Sequence, residues 1–227
     1  ARYEQNLAEG SNLQVQGAYA YGDIEASSLG ADQRDTFDLD FQHRLRLSER
    51  NEVVWGGNYR LTRDTMSPSP YFFMNDESMR LDYYSLFAQD EFRLTDDLHV
   101  TLGLRFDHNE FTGWETQPTA RFSWNVQPHH TVWMAASRAS RAPSRGEVGF
   151  NSSHIGAWAP LPSPYPPTVV PYIIRVQGTS DYGSEELRAY EIGWRSQWSP
   201  TLFTDGVAFS HRYRQLRANG EITYLPG

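Results

Sequence analysis

The 227-residue sequence contains no cysteine, no lysine and no long apolar run. Without cysteine there is no disulfide framework, no thiolate metal site and no thiol nucleophile. All 20 basic residues are arginine, a bias from which no function is read. Mean hydropathy is -0.63, and no window approaches the roughly 20 consecutive apolar residues of a membrane-crossing helix. That excludes a helical membrane protein only, because transmembrane β-strands alternate apolar and polar residues and look unremarkable on average. Net positive charge is missing as well. The formal charge is -8 and the sequence pI ≈ 5.3, which argues against a nucleic-acid partner, since neutralising phosphates needs a basic surface. The opening ARYEQNLAEG lacks the apolar stretch of a signal peptide.

What is present is aromatic residues, 14% of the chain, and a strict period of two. Aromatic enrichment suits strands, ligand contact and membrane-interface girdles alike. From Asn12 to Gly22, Leu13, Val15, Gly17, Tyr19 and Tyr21 oppose Gln14, Gln16, Ala18 and Ala20. From Asp35 to Leu47, Phe37, Leu39, Phe41, Leu45 and Leu47 oppose Asp38, Asp40, Gln42, Arg44 and Arg46. Val53, Trp55, Tyr59 and Leu61 continue the pattern. Met79 to Leu94 is less tidy, with Asp90 on the side of Leu86, Ala88 and Phe92, and Phe87 among Gln89, Glu91 and Arg93. Leu98 to Asp107 is clean, and strands are predicted near Thr119 to Asn125, Thr131 to Arg138, Glu185 to Trp198 and Leu202 to Arg214. In the last of these, Phe203, Val207, Phe209 and Tyr213 share a face.

The sum is an all-β chain, an antiparallel meander of about nine long strands. Its short connections fall near residues 7–10, 48–51, 95–97, 127–130 and 199–201. The long ones fall near 25–34, 66–78, 112–117, 139–184 and from 215 onward. The two kinds alternate, which puts tight turns at one end and loops at the other. An outer-membrane barrel sorts its connections this way, with short periplasmic turns and longer extracellular loops. A soluble antiparallel sheet, such as a ligand- or carbohydrate-binding module, has no reason to. It stays open as the second reading, and it places Phe37, Leu39, Phe41, Val100, Leu102 and Leu104 in a closed core instead of against lipid. An odd strand count cannot close an up-and-down barrel. With a start inside an apparent strand and an end in ITYLPG, it points to a piece of something longer.

YSLFAQDEFRLTDDLHVTLGLRFD, QPTARFSWNVQPHHTVWMAASRASRAPSRGE and SEELRAYEIGWRSQWSPTLFTDGVAFSHRYRQL resemble the mid-to-late barrel of TonB-dependent outer-membrane receptors. FDLDFQHRLRLSERNEVVWGGNYR is similar to an earlier hairpin of the same barrels. The resemblance implies residues 1–227 as part of a 22-stranded barrel in the bacterial outer membrane. It also implies a plug domain in the same parent chain, TonB engaged through that plug, and import of a scarce small-molecule ligand such as a ferric siderophore. No plug domain, TonB-contacting box or terminal aromatic-ended strand is found here, so transport cannot belong to this chain alone.

Ligand capture would then fall to the loops: Tyr71, Phe72 and Phe73, then Trp114, then Arg141, Arg145, Trp158 and Tyr165 in the long 139–184 segment. Aromatic rings give stacking area and guanidinium binds anionic groups; the alternative is that the rings pack on one another and the arginines are held by carboxylates. Asp38, Asp40, Arg44, Arg46, Glu91, Arg93, Arg105, Glu191 and Arg195 would line the lumen and meet the plug. His129 and His130 sit in a turn and point apart, so they are not expected to hold a metal. Ser137, Ser140 and Ser144 lack a nucleophile elbow, and no carboxylate pair stands out for glycoside hydrolysis. No enzymatic activity, metal or cofactor is expected. Cut from its barrel, the chain is expected to self-associate through open edges and its apolar face.

Overall fold

The computed structural model describes residues 1–26, 30–160 and 169–218. Ten strands form one antiparallel sheet: β1 (Arg2–Ala8), β2 (Ser11–Ala26), β3 (Gly30–Ser48), β4 (Asn51–Ser67), β6 (Ser78–Arg93), β7 (Leu98–Asn109), β8 (Gly113–Gln127), β9 (His130–Arg141), β12 (Glu185–Ser199) and β13 (Leu202–Arg214). They lie side by side in chain order. The three remaining strands, β5 (Phe72–Met74), β10 (Phe150–Pro160) and β11 (Val169–Gln177), make a second sheet in the order β11-β10-β5. One short helix, α1 (Arg145–Gly149), joins the two.

The main sheet has ten strands where about nine were expected, because the weakly alternating start of the chain pairs with β2 from Arg2 to Ala8. The odd count therefore falls away as an argument, though the reading of the chain as a piece of something longer does not depend on it. Among the described residues, β1 and β13 each have one unpaired edge.

The tight turns fall where the sequence places them, at 9–10, 49–50, 94–97, 128–129 and 199–202. Gly10 (φ 74°) and His129 (φ 69°) take the left-handed conformation such reversals need. The opposite end differs from the expectation. Residues 25–26, 30–34 and 113–117 are strand, and only 110–112 separate β7 from β8. Gly113 (φ 72°) lets β8 start at once. Polar composition signals exposure, and a strand projecting into water is polar on both faces just as a loop is. β3 runs 19 residues, well past the roughly 9–11 that cross a bilayer, and all the excess lies away from the tight turns. The 139–184 segment is likewise partly ordered: β9 reaches Arg141, then come α1, β10 and β11. Pro171 falls in β11, an edge strand among the described residues, which is where sheets tolerate proline.

Cross-strand partners share a face, so the register assigns every side chain. Phe41 pairs with Val15 and Gly57, Leu39 with Gly17 and Tyr59, Leu102 with Asp90 and Ala120, and Ile192 with Met134 and Ala208. This is the apolar face. It is not covered: Phe37 and Leu39 are each 42% exposed and Leu102 49%. Among the described residues the buried hydrophobic side chains are Met74 and Ala189 alone. The accessible surface is 16020 Å², against roughly 10,500 Å² for a globular monomer of this mass. A closed core, which the soluble reading requires, is absent from the described residues. The apolar phase of β13 points the other way: Phe203, Val207 and Phe209 pair with Gln197, Gly193 and Glu191 on the polar face.

Candidate functional site

Along the polar face one row of register links Arg46, Glu52, Glu91, Thr101, Arg121, Ala135 and Glu191 across seven strands. Because alternate residues repeat a face, Asp38, Asp40, Arg44, Arg93, Arg105 and Arg195 stand on the same side. All nine residues expected to line a lumen thus share one surface. Most of their charges are paired laterally, Arg46 and Arg93 being the exceptions among the described residues. Arg60 Nε donates to Asp38 at 2.5 Å, and Asn58 bridges Asp38 and Asp40. Arg44 pairs with Glu52 at 3.0 Å, Arg105 with Asp107 at 2.8 Å, Arg195 with Asp205 at 3.1 Å and Glu191 with His211 at 3.2 Å. Asp90, the carboxylate in the apolar phase, accepts from Asn51 at 2.8 Å beside the 49–50 turn.

On the apolar face, rings line up by register. Tyr59 stacks on Tyr84 (5.1 Å between centroids), Tyr84 meets His108 (5.9 Å), and His108 meets Trp114 (5.0 Å). Trp114 is therefore the second residue of β8 and closes an aromatic row across four strands, not a loop residue as the sequence implied. The Tyr59 hydroxyl donates to Asp82 at 2.6 Å and the Tyr19 hydroxyl to Asp35 at 2.5 Å. Rings against the apolar zone with hydroxyls reaching polar groups toward the loop end are what a membrane-interface position requires.

At the loop end the second sheet carries the other predicted aromatics. Phe73 is 49% exposed on β5, Tyr71 58% exposed just before it, and Trp158 65% exposed on β10. Phe72 is half-buried on Phe150, 5.1 Å away. Tyr165 lies outside the described residues. The two arginines are already engaged. Arg145, 7% exposed, pairs with the buried Asp64 and donates to the Asp76 carbonyl. Arg141 binds Glu147 through both terminal nitrogens and Glu185 through Nε at 2.9 Å. Arg217 adds a third guanidinium contact to Glu147 at 3.0 Å.

Glu147 is thus the fastener of the segment. Its carboxylate also accepts from the Ser144 amide at 2.7 Å, while the Ser144 hydroxyl accepts from the Glu147 amide, forming a capping box on α1. Hydrogen bonds from Arg141, then from the Ser144 amide, hold the Glu147 carboxyl down at about 2. Sequence reasoning passed over Glu147, Asp64 and Glu185. The Ser144-x-x-Glu147 spacing was the available signal for the first.

These features define an open stretch of barrel-type wall, with a charged ladder on one face, an uncovered apolar surface on the other and an ion-paired cap of strands at one end. The chain belongs to the TonB dependent receptor-like, beta-barrel family, whose model matches residues 1–226. It is 34% identical over 114 residues to the ferrienterobactin receptor of Escherichia coli (strain K12), an alignment covering 48% of this chain and 14% of that receptor. Among solved structures it is similar to the siderophore receptor PirA of Acinetobacter baumannii, with TM-score 0.72 and 16% identity over 94% of this chain and 34% of that one. A ferric enterobactin receptor of Pseudomonas aeruginosa in complex with enterobactin gives TM-score 0.71 at 15% identity, again over 94% and 34%. The chain spans about a third of the length of these solved receptors.

Proposed function

We propose that the chain forms part of the translocation wall of a receptor in the bacterial outer membrane that imports a scarce small-molecule ligand, a ferric siderophore being the class best supported. The observation that carries this reading is the two-faced sheet with no closed core: an apolar face of this extent needs lipid to cover it. The identity to a ferrienterobactin receptor supports the ligand class. On this reading lipid surrounds the apolar face, and residues 139–184 lie on the extracellular side. The polar face, with Asp38, Asp40, Arg44, Arg46, Glu91, Arg93, Arg105, Glu191 and Arg195, meets a plug domain through which TonB acts. Ligand contact falls to Tyr71, Phe73, Trp158 and Tyr165, whose rings suit a chelate, with Phe72 backing them. Arg141 and Arg145 act as the frame that positions this layer, since their charges are spent on Glu147, Glu185 and Asp64. Removed from lipid, the chain self-associates through its edges and apolar face.

The test is uptake of radiolabelled ferric siderophore by cells whose only such receptor is the intact protein carrying this chain. We expect the Tyr71→Ala/Phe73→Ala/Trp158→Ala variant to reach the membrane normally and to bind the chelate about tenfold more weakly, the order expected for losing several stacking contacts. No uptake by the unaltered receptor of any ferric chelate would contradict the reading.

A further inference from the structure

The polar face is not uniform. From β3 to β7 it carries charged side chains that pair within the wall, Arg60 with Asp38, Arg44 with Glu52 and Arg105 with Asp107. Its Phe and Tyr rings are engaged with the wall as well: Phe87 lies over Gly56, and the Tyr83 hydroxyl accepts from Arg105 at 3.1 Å. On β9, β12 and β13 the same face changes character. One register row sets Trp133 beside Gly193 and Gly193 beside Val207, and the next sets Ala135, Glu191 and Phe209 together. Phe203, Val207, Phe209 and Tyr213 share this side of β13, and each is more than half exposed. Below the Arg141–Glu185 clasp, the charge on these three strands is confined to two pairs, Arg195 with Asp205 and Glu191 with His211.

The inversion of β13 is compensated on the other side of the sheet. There β13 presents Thr204, Gly206, Ala208 and Ser210, paired with Ser196, Trp194, Ile192 and Tyr190. The Trp194 ring lies over Gly206, in the space a Cβ would need. A β12 ring thus keeps the apolar surface continuous where β13 supplies no large side chain of its own. Phe203 and Tyr213 lie ten residues apart, about 33 Å of strand, which is about the depth of a hydrocarbon core. A strand added at the open edge of β13 would sit beside these side chains and not over them. The polar face therefore holds a file of bare apolar groups that neither lipid nor a neighbouring strand reaches.

We propose that the file on β13, with Trp133, is an apolar seat for the domain of the same parent chain that fills the barrel, and that this domain parts first from the charged side, β3 to β7. The inference rests on the wall reading given above. The seat is continuous with the polar face assigned to that domain. The chain spans 34% of the PirA chain of Acinetobacter baumannii, so the length that a filling domain needs lies outside the matched part. Apolar area left in water is unfavourable in proportion to its extent, and a resident domain covers a file of this height where a passing small molecule does not. On the charged side the reverse holds. Its ion pairs close within the wall, so a partner leaving it breaks none of them and bares groups that water solvates. Arg46 and Arg93, which have no such partner among the described residues, are exposed beside the tight turns.

The experiment is thiol labelling of the intact receptor carrying this chain, inserted in vesicles, by a polar maleimide in rising urea, with gel mobility reporting that the barrel stays folded. Single cysteines are introduced as Gln42→Cys and Thr101→Cys on the charged side, Ala135→Cys and Val207→Cys on the seat, and Ile192→Cys on the apolar face, native thiols elsewhere being replaced by serine. We expect positions 42 and 101 to become reactive at urea concentrations where 135 and 207 still react about tenfold or more slowly, the kind of spread that separate local openings produce. Phe203→Ser/Phe209→Ser should bring position 135 forward to the behaviour of 42, and Phe203→Leu/Phe209→Leu should restore the delay. Simultaneous labelling of all four polar-face positions, earlier labelling of 135 and 207, or an unchanged 135 in the serine variant overturns the seat. Position 192 is read separately. Reaction there without urea sinks the wall reading itself, whereas a protected 192 with no difference among the other four sinks only the seat.

Discussion

A single carboxylate, Glu147, ties the loop-end layer to the wall. It is itself buried and accepts from Arg141, Arg217 and the Ser144 amide, so removing it takes away the one acceptor that these three donors share. Its pKa falls from 4.5 to about 2 on folding. A depressed carboxylate contributes stability in full above its unfolded value, and loses it as pH falls through the folded one. We therefore expect residues 142–160 and 169–184 to resist pepsin at pH 4.5 and to become cleavable as pH approaches 2, with Glu147→Gln already cleavable there at pH 4.5. Equal resistance of the variant and the native protein across that range would remove Glu147 from this role. Arg145 shows the limit of reading residue types alone: an arginine in a loop suggests an anion site, and burial against Asp64 turns it into a strut.

The strands owe their close approach to glycine at particular places. Gly56 sits on the polar face with the Phe87 ring over it, and a Cβ there would run into the Phe41 carbonyl. Gly193 accepts the Trp133 ring in the same manner, within 2.6 Å of where a Cβ would stand. Gly22 has open space. We expect Gly56→Ala to lower stability by about 1–3 kcal/mol, the usual cost of overpacking, and Gly22→Ala to leave it nearly unchanged, read as urea midpoints of the vesicle-inserted protein. A neutral Gly56→Ala would mean that this pairing is looser than described. The same positions show what the sequence could tell. Alternation located nearly every strand, and Leu202 to Arg214 was read to the residue. Phe87 among polar neighbours was visible but unexplained, because only the partner strand supplies Gly56. Phe203, Val207 and Phe209 were seen as one face, yet which face depends on register with β12. Trp114 and residues 25–34 were misplaced because polar composition cannot separate a loop from a strand extending into water.

At the scale of the molecule, the described residues place ten strands in chain order with two open edges, a wall and not a core. The nine charged residues expected on one side do share it, joined by a register row from Arg46 to Glu191. The loop-end aromatics of the second sheet depended on pairing between β5 and β10, residues about 76 apart in sequence (Met74 with Phe150), which local pattern cannot reveal. Everything functional rests on one claim, that the apolar face meets lipid and the polar face does not. These 227 residues lack cysteine, so within them each introduced cysteine carries the only label, and any native thiol elsewhere in the intact receptor is first replaced by serine. Spin labels at positions 39, 102 and 192 and at positions 40, 105 and 191 of the intact receptor in bilayers should separate cleanly. We expect the first set to be relaxed by oxygen dissolved in the lipid and the second to be shielded from it. Oxygen access that fails to alternate, or that favours 40, 105 and 191, would contradict the barrel-wall reading.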